Sequence, residues 1–132
     1  METYIQNAAI VGQVLFGLYF LHNALNHFIR AKMLAGYAAS KKVPLPMLAV
    51  IGSGLLLLAG GLSVLSGLYL IYGLSCLVLF LLVVTFWIHN FWADKDPSAK
   101  MMIMVNFTKN MALLGAVLMF YGFMDTWPWV LS

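Results

Sequence analysis

Charge is scarce in this chain of 132 residues, since only 8% of them are charged whereas 64% are hydrophobic. An ordinary soluble domain carries about a quarter charged residues and about half apolar ones. The chain also lacks any Asp, Glu, Lys or Arg between Lys42 and Asp94. Because one helical span of a bilayer needs roughly 20 apolar residues, this stretch is long enough for two spans. The composition therefore indicates a membrane protein and excludes a soluble enzyme and a DNA-binding domain.

Cysteine and dense basic patches are also missing. The one cysteine, Cys76, lies in the middle of an apolar run, so it can form neither a disulfide within the chain nor a CxxC redox pair. This excludes a secreted disulfide scaffold. The formal net charge of +3 comes from a few basic residues that flank apolar segments, where they act as topology signals. We therefore expect the lipid bilayer, and no nucleic acid, as a partner.

Four apolar segments predict the fold. They cover about Ala8–Phe28, Met47–Leu65, Leu68–Trp92 and Met101–Phe123. Each is long enough to cross a bilayer as a helix and too long for a barrel strand. We predict an all-α, integral membrane four-helix bundle that forms a single domain over residues 1–132. A short interfacial helix is expected between the first two spans, because Met33, Leu34 and Tyr37 would share one helical face.

The basic residues predict the orientation in the membrane. All of them except Lys109 lie in the connections after the first and third spans, namely Arg30, Lys32, Lys41, Lys42, Lys95 and Lys100. The positive-inside rule places these two connections in the cytoplasm and both termini outside. We expect a multi-pass protein of a bacterial or archaeal cytoplasmic membrane.

Polar side chains gather near the basic ends of three spans, where a plain anchor would be apolar. They are His22, Asn23, Asn26 and His27 in the first span, His89 in the third, and Asn106, Lys109 and Asn110 in the fourth. Spacings of three and four residues place members of each set on shared helical faces. Ionisable groups inside a span usually face the bundle interior or a water-filled cavity. We therefore predict a ligand-binding pocket on the cytoplasmic side.

The residue types in this cluster suit more than one use. One Lys with several Asn and His donors favours an anionic or electron-rich carbonyl ligand, such as an oxyanion or a quinone. The imidazoles of His22, His27 and His89 are alternative ligands for haem or a metal. No carboxylate ligand lies in the same spans, however, and Lys109 would repel a cation, so we expect no metal site. A third alternative is structural, with Lys109 reaching the headgroups and the Asn residues joining helices.

Five segments carry a resemblance to a known family. They are Gly17–Phe28, Gly36 and Tyr37 with Pro44, Ala59–Leu62, Phe86–Trp92 and Asn106–Gly115. Together they resemble the DoxX family of small four-span membrane proteins. The resemblance implies a four-helix membrane bundle, and some members are the small subunit of a thiosulfate:quinone oxidoreductase or partners in membrane redox complexes. It also implies that the family's polar motif falls on Asn26, His89, Asn106, Lys109 and Asn110.

The chain departs from the family pattern in its second span. Many members have a Glu shortly before the paired glycines, where this chain has Leu55–Leu58. A protonatable carboxylate is therefore missing from that span.

Three functions follow from these observations. The first is an accessory or anchor subunit of a membrane oxidoreductase, with a quinone- or anion-binding pocket. The chain has no recognisable flavin, iron–sulfur or copper motif and no identifiable catalytic residue, so catalysis would need other membrane protein subunits. The second is a non-catalytic structural or assembly subunit of a larger complex. The third is a small-solute transporter, which the small amount of polar lining disfavours.

Overall fold

The computed structural model describes all residues from 1 to 132, and five α-helices account for most of them. Their bounds are α1 (Glu2–Ile29), α2 (Ala31–Ser40), α3 (Pro46–Ser66), α4 (Leu70–Val83) and α5 (Pro97–Phe120). A π-helical turn extends α4 over Val84–Ile88, and 3-10 turns follow at Phe91–Ala93 and Tyr121–Thr126. The prediction of an all-α fold with four long apolar helices and a short helix between the first two is confirmed.

Four helical segments are long and apolar enough to cross a membrane, so the chain is a multi-pass integral membrane protein. They are Glu2–Ile29, Pro46–Ser66, Leu70–Ala93 and Pro97–Thr126. The first and last helices begin earlier than the apolar runs that predicted them, since α1 begins at Glu2 and α5 begins at Pro97. Pro97 suits the first turn of α5, where the missing backbone N–H of proline costs no helical hydrogen bond. We call the end of the bundle with the two lysine-containing connections the basic end.

Glycines allow the helices α1, α3 and α4 to pack closely. A side-chain carbon on Gly17 of α1 would lie 3.3 Å from the carbonyl oxygen of Gly61 in α3. One on Gly60 of α3 would lie 3.1 Å from the carbonyl oxygen of Gly73 in α4, and one on Gly73 would overlap Ser63. Small residues at such positions let helix backbones approach each other inside a membrane. Consequently α3 is the central helix of the bundle, with α1 and α4 on either side.

The contact between α1 and α5 is made by large side chains instead. The rings of Phe16 and Phe120 meet edge to face, with centroids 5.0 Å apart. Phe20 of α1 and Val117 of α5 are fully buried in the same core, beside Leu77 of α4. Since these side chains hold the backbones apart, the bundle is wider next to α5 than next to α3.

Gln13 closes the end of the bundle opposite the basic end. Its side-chain Nε2 lies within hydrogen-bonding distance of the carbonyl oxygens of Val64 (2.9 Å), Leu65 (3.1 Å) and Trp129 (2.9 Å), and its Oε1 accepts from the N–H of Trp129 (3.1 Å). The N–H of Leu131 donates to the carbonyl of Ser66 at 2.7 Å. The segment after α5 is thereby fixed against α1 and the turn between α3 and α4.

Candidate ligand-binding cavity

A cavity of about 470 Å³ lies in the half of the bundle near the basic end. All five helices contribute to its lining, which is mostly apolar. Leu34, Tyr37 and Ala38 of α2 cover it at the basic end. Its volume falls within the range of about 300–1,000 Å³ that is typical of small-molecule sites. The bundle therefore contains a space large enough for a small ligand or for the head group of a larger one.

Five of the eight polar residues that the sequence singled out line this cavity. They are Asn23, His27, His89, Lys109 and Asn110. The other three lie off it: His22 is exposed and its Nε2 is 3.2 Å from Asn26 Nδ2, while Asn106 is half-buried elsewhere on α5. Consecutive residues of a helix point about 100° apart, so His22 and Asn26 share a different face from Asn23 and His27.

Asn23 and His27 provide the polar face of α1. Asn23 Nδ2 donates to the carbonyl of Tyr19 at 2.9 Å. His27 Nδ1 lies 2.8 Å from the carbonyl oxygen of Asn23, and this oxygen can only accept, so Nδ1 carries a proton. In the neutral imidazole the other nitrogen, Nε2, is then an acceptor. The His27 ring also packs edge to face on Phe80 of α4, with centroids 5.8 Å apart, and this contact fixes its orientation.

His89 follows the π-helical turn that extends α4. Its backbone N–H donates at 3.1 Å to the carbonyl of Val84, five residues earlier, which is the pairing of a π turn. The side-chain Nδ1 of His89 is buried and has no hydrogen-bond partner within the chain, and the same is true of Thr85 Oγ1. Buried polar atoms without partners are rare in native structures, because each carries a desolvation penalty.

Lys109 and Asn110 bring the donors of α5 to the cavity. The Lys109 ammonium lies 5.8 Å from the centre of the Tyr19 ring, a cation–π distance. Asn110 is only 5% exposed, yet its side-chain amide forms no hydrogen bond with the rest of the chain. The chain's carboxylates lie in other places, at Glu2, Asp94, Asp96 and Asp125. The cavity thus combines a cation and unsatisfied donors with no acid, which suits a ligand that has acceptor oxygens.

Lys41 holds the basic end of the cavity closed, a role that the sequence did not reveal. Its Nζ donates to Asn90 Oδ1 at 3.0 Å, and its carbonyl accepts from Trp87 Nε1 at 3.0 Å. These two bonds join the end of α2 to the segment that follows α4. From the sequence, Lys41 was one of several topology charges, and no pattern marked Asn90 as its partner.

Metal-ligating side chains do not come together anywhere in the chain. No group of three or more His, Cys, Asp or Glu residues is placed to hold a metal ion. His27 and His89 face the cavity, whereas His22 does not line it. The chemistry that the cavity offers is hydrogen bonding to a ligand within apolar walls.

The fold and this cavity define a class of protein: a multi-pass α-helical membrane protein with a donor-rich space among its helices. The family model named DoxX matches residues 8–90, which is well over half of the chain. The chain therefore belongs to the DoxX family. The matched residues include Asn23, His27 and His89 and end before α5, so Lys109 and Asn110 lie outside them. No curated protein and no solved structure matched the chain.

Proposed function

We propose that this protein is an accessory subunit of a membrane oxidoreductase and that its cavity binds the head group of a quinone. One observation carries the proposal: Lys109, Asn110 and His89 line one mostly apolar cavity, where neither the Lys109 ammonium nor the Asn110 amide has a hydrogen-bond partner in the chain. A buried donor without a partner is costly, and a carbonyl oxygen would satisfy it.

The cavity residues fit a flat ring that carries two carbonyl oxygens. Lys109 and Asn110 lie on α5, whereas His89 follows α4. Donors therefore come from two parts of the wall, and both carbonyl oxygens can accept a hydrogen bond. The aromatic rings of Phe80 and Trp87 line the same space and can pack on the ring faces. His27 Nε2, as an acceptor, can bind a hydroxyl of the reduced ring.

When bound, a quinone supplies two-electron redox chemistry to a partner subunit. The chain contains no recognisable flavin, iron–sulfur or copper motif. The second redox centre would therefore belong to another membrane protein subunit, and this chain would bind, orient and shield the ring. With the basic connections in the cytoplasm, as their lysines favour, the cavity lies in the cytoplasmic half of the membrane and both termini lie outside.

Replacing Lys109 by Met tests the site directly. We expect Lys109→Met to weaken the binding of a short-chain benzoquinone by about 10- to 100-fold, because a hydrogen bond from a charged donor contributes about 1.5–3 kcal/mol. Binding can be measured by quenching of tryptophan fluorescence in detergent-purified protein, since Trp87 lines the cavity.

Lys100→Met is the matched control, because Lys100 is an exposed lysine of the same helix that does not line the cavity. It should bind the benzoquinone as the wild type does. Both variants should show the same thermal denaturation, which separates loss of binding from loss of fold. Equal affinity in Lys109→Met and wild type would contradict the proposal.

A second function is favoured by the position of Lys109. Besides lining the cavity, this residue is exposed on the bundle surface, and no carboxylate of the chain lies at its depth in the membrane. A carboxylate on a neighbouring transmembrane helix would balance its charge, as expected for a structural or assembly subunit. In that case Lys109→Met should abolish copurification of a partner while benzoquinone binding stays unchanged.

A further inference from the structure

We infer that the quinone enters and leaves sideways from the bilayer, with its apolar tail lying in an opening between α3 and α4. We call this the side opening and define it by Ala49 of α3, Val83 of α4 and Trp87 of the π-helical turn. The inference rests on the proposed function, since it concerns the tail of the molecule whose head group the cavity is proposed to bind.

The two helices that border the side opening are close at one end and apart at the other. Far from the basic end, Gly60 and Gly73 bring α3 and α4 together so closely that an added side-chain carbon would clash. Toward the basic end, Ala49 and Ser53, which lie on the same face of α3 as Gly60 by helical spacing, line the cavity instead. The pair therefore diverges toward the basic end, where the cavity lies.

The side opening is one place where the cavity wall reaches the outer surface of the bundle, and it is the one between α3 and α4. Ala49, Val83 and Trp87 all line the cavity, and all three are also exposed, Val83 by 52% and Trp87 by 44%. A residue with both properties marks a break in the wall. All three side chains are apolar except for the indole N–H of Trp87, which is bonded to the Lys41 carbonyl.

The depth of the side opening determines what can pass through it. Trp87 is tied to Lys41 at the basic end, and Val83 lies one helical turn further into the span, about 6 Å at 1.5 Å per residue. At this depth the opening faces the acyl chains rather than water. An alkyl or isoprenoid chain can lie there without losing its apolar surroundings, whereas an aqueous solute would first have to cross lipid.

The size of the cavity points to the same ligand class. About 470 Å³ accommodates a drug-sized molecule. A tail of several isoprene units does not fit beside the ring in this volume, so it has to extend out through the wall. The structure thus favours an amphiphile with a compact acceptor head and a long apolar tail over a small water-soluble oxyanion.

Filling the side opening tests this inference with two probes, a benzoquinone without a tail and the same ring with a decyl tail. We expect Ala49→Phe and Val83→Phe to weaken the binding of the decyl probe about tenfold or more. The added ring displaces part of the decyl tail from the opening, and exposing only two of its methylenes raises the Kd about tenfold. The tail-free probe should be weakened much less, because it has no tail to occupy the opening. Quenching of tryptophan fluorescence again serves as the measurement, and phenylalanine adds no new tryptophan.

Leu48→Phe is the matched control, since Leu48 is 66% exposed, precedes Ala49 in α3 and does not line the cavity. It should bind both probes normally. Unchanged binding of the decyl probe in Ala49→Phe and Val83→Phe would overturn the side opening, and so would equal loss of both probes. Failure of both probes to bind the wild type would instead overturn the proposed function itself.

Discussion

Gln13 shows how much a single polar side chain can do inside an apolar helix. Its carboxamide joins α1 to two other segments, the end of α3 and the stretch after α5. No other side chain joins residues so far apart in the sequence by so many bonds. In the sequence it was one polar residue in the first apolar run, without a partner at helical spacing, so nothing distinguished it.

We expect Gln13→Leu to lower the free energy of unfolding by about 2 kcal/mol or more. The change removes several interhelical hydrogen bonds and leaves the carbonyls of Val64 and Trp129 without their partner. Thermal denaturation in mild detergent measures the effect, and limited proteolysis should show earlier cleavage after α5.

Gln6→Leu provides the control for this prediction, because Gln6 lies exposed on the same helix. Its stability should equal that of the wild type. If Gln13→Leu were as stable as Gln6→Leu, the contacts of Gln13 would contribute nothing net to the fold.

The helices α3 and α4 owe their close approach to a few glycines. Gly60 faces the fully buried Leu77 and the backbone of Gly73, while Gly52, two turns earlier in α3, faces open space. The same residue type in one helix therefore has two different roles. Which glycine has which role depends on the rotation of α3 against its neighbours.

We expect Gly60→Ala to destabilise the bundle by about 1–3 kcal/mol, the usual cost of overpacking a tight contact. Gly52→Ala should leave stability unchanged or raise it slightly, because alanine favours a helix and meets nothing there. Comparing the midpoints of thermal denaturation of the two variants decides the matter. Equal destabilisation of both would contradict the α3–α4 contact at Gly60 as its cause.

The orientation of the whole molecule is a prediction from its lysines. We expect both termini outside and the connection between α4 and α5 in the cytoplasm. In a Cys76→Ala background, a membrane-impermeant thiol reagent added to intact cells should label Ser132→Cys and leave Ser98→Cys unlabelled. Lysis of the cells should make Ser98→Cys reactive. The reverse labelling pattern would invert the proposed topology and place the cavity in the outer half of the membrane.

The side opening and the Gln13 contacts give the two halves of the molecule different properties. Near the basic end the helices diverge around a cavity, whereas at the other end Gln13 and the segment after α5 hold the bundle together. Such a molecule has its donor-rich cavity in one half of the membrane and a bundle tied by hydrogen bonds in the other. This arrangement suits a ligand that stays in the membrane better than a solute that has to cross it.

Three features could be predicted from the amino-acid sequence: the number of spans, the short helix between the first two, and the end of the bundle where the polar residues gather. The number of spans follows from apolar runs of about 20 residues. The polar end of the bundle follows from the charges that flank these runs. The packing of the helices was needed to show that Asn23, His27 and His89 line the cavity. It also showed that His22, Asn26 and Asn106 lie outside it. The spacing of residues fixes which ones share a face, but the rotation of each helix, which decides where that face points, depends on contacts between residues far apart in the chain.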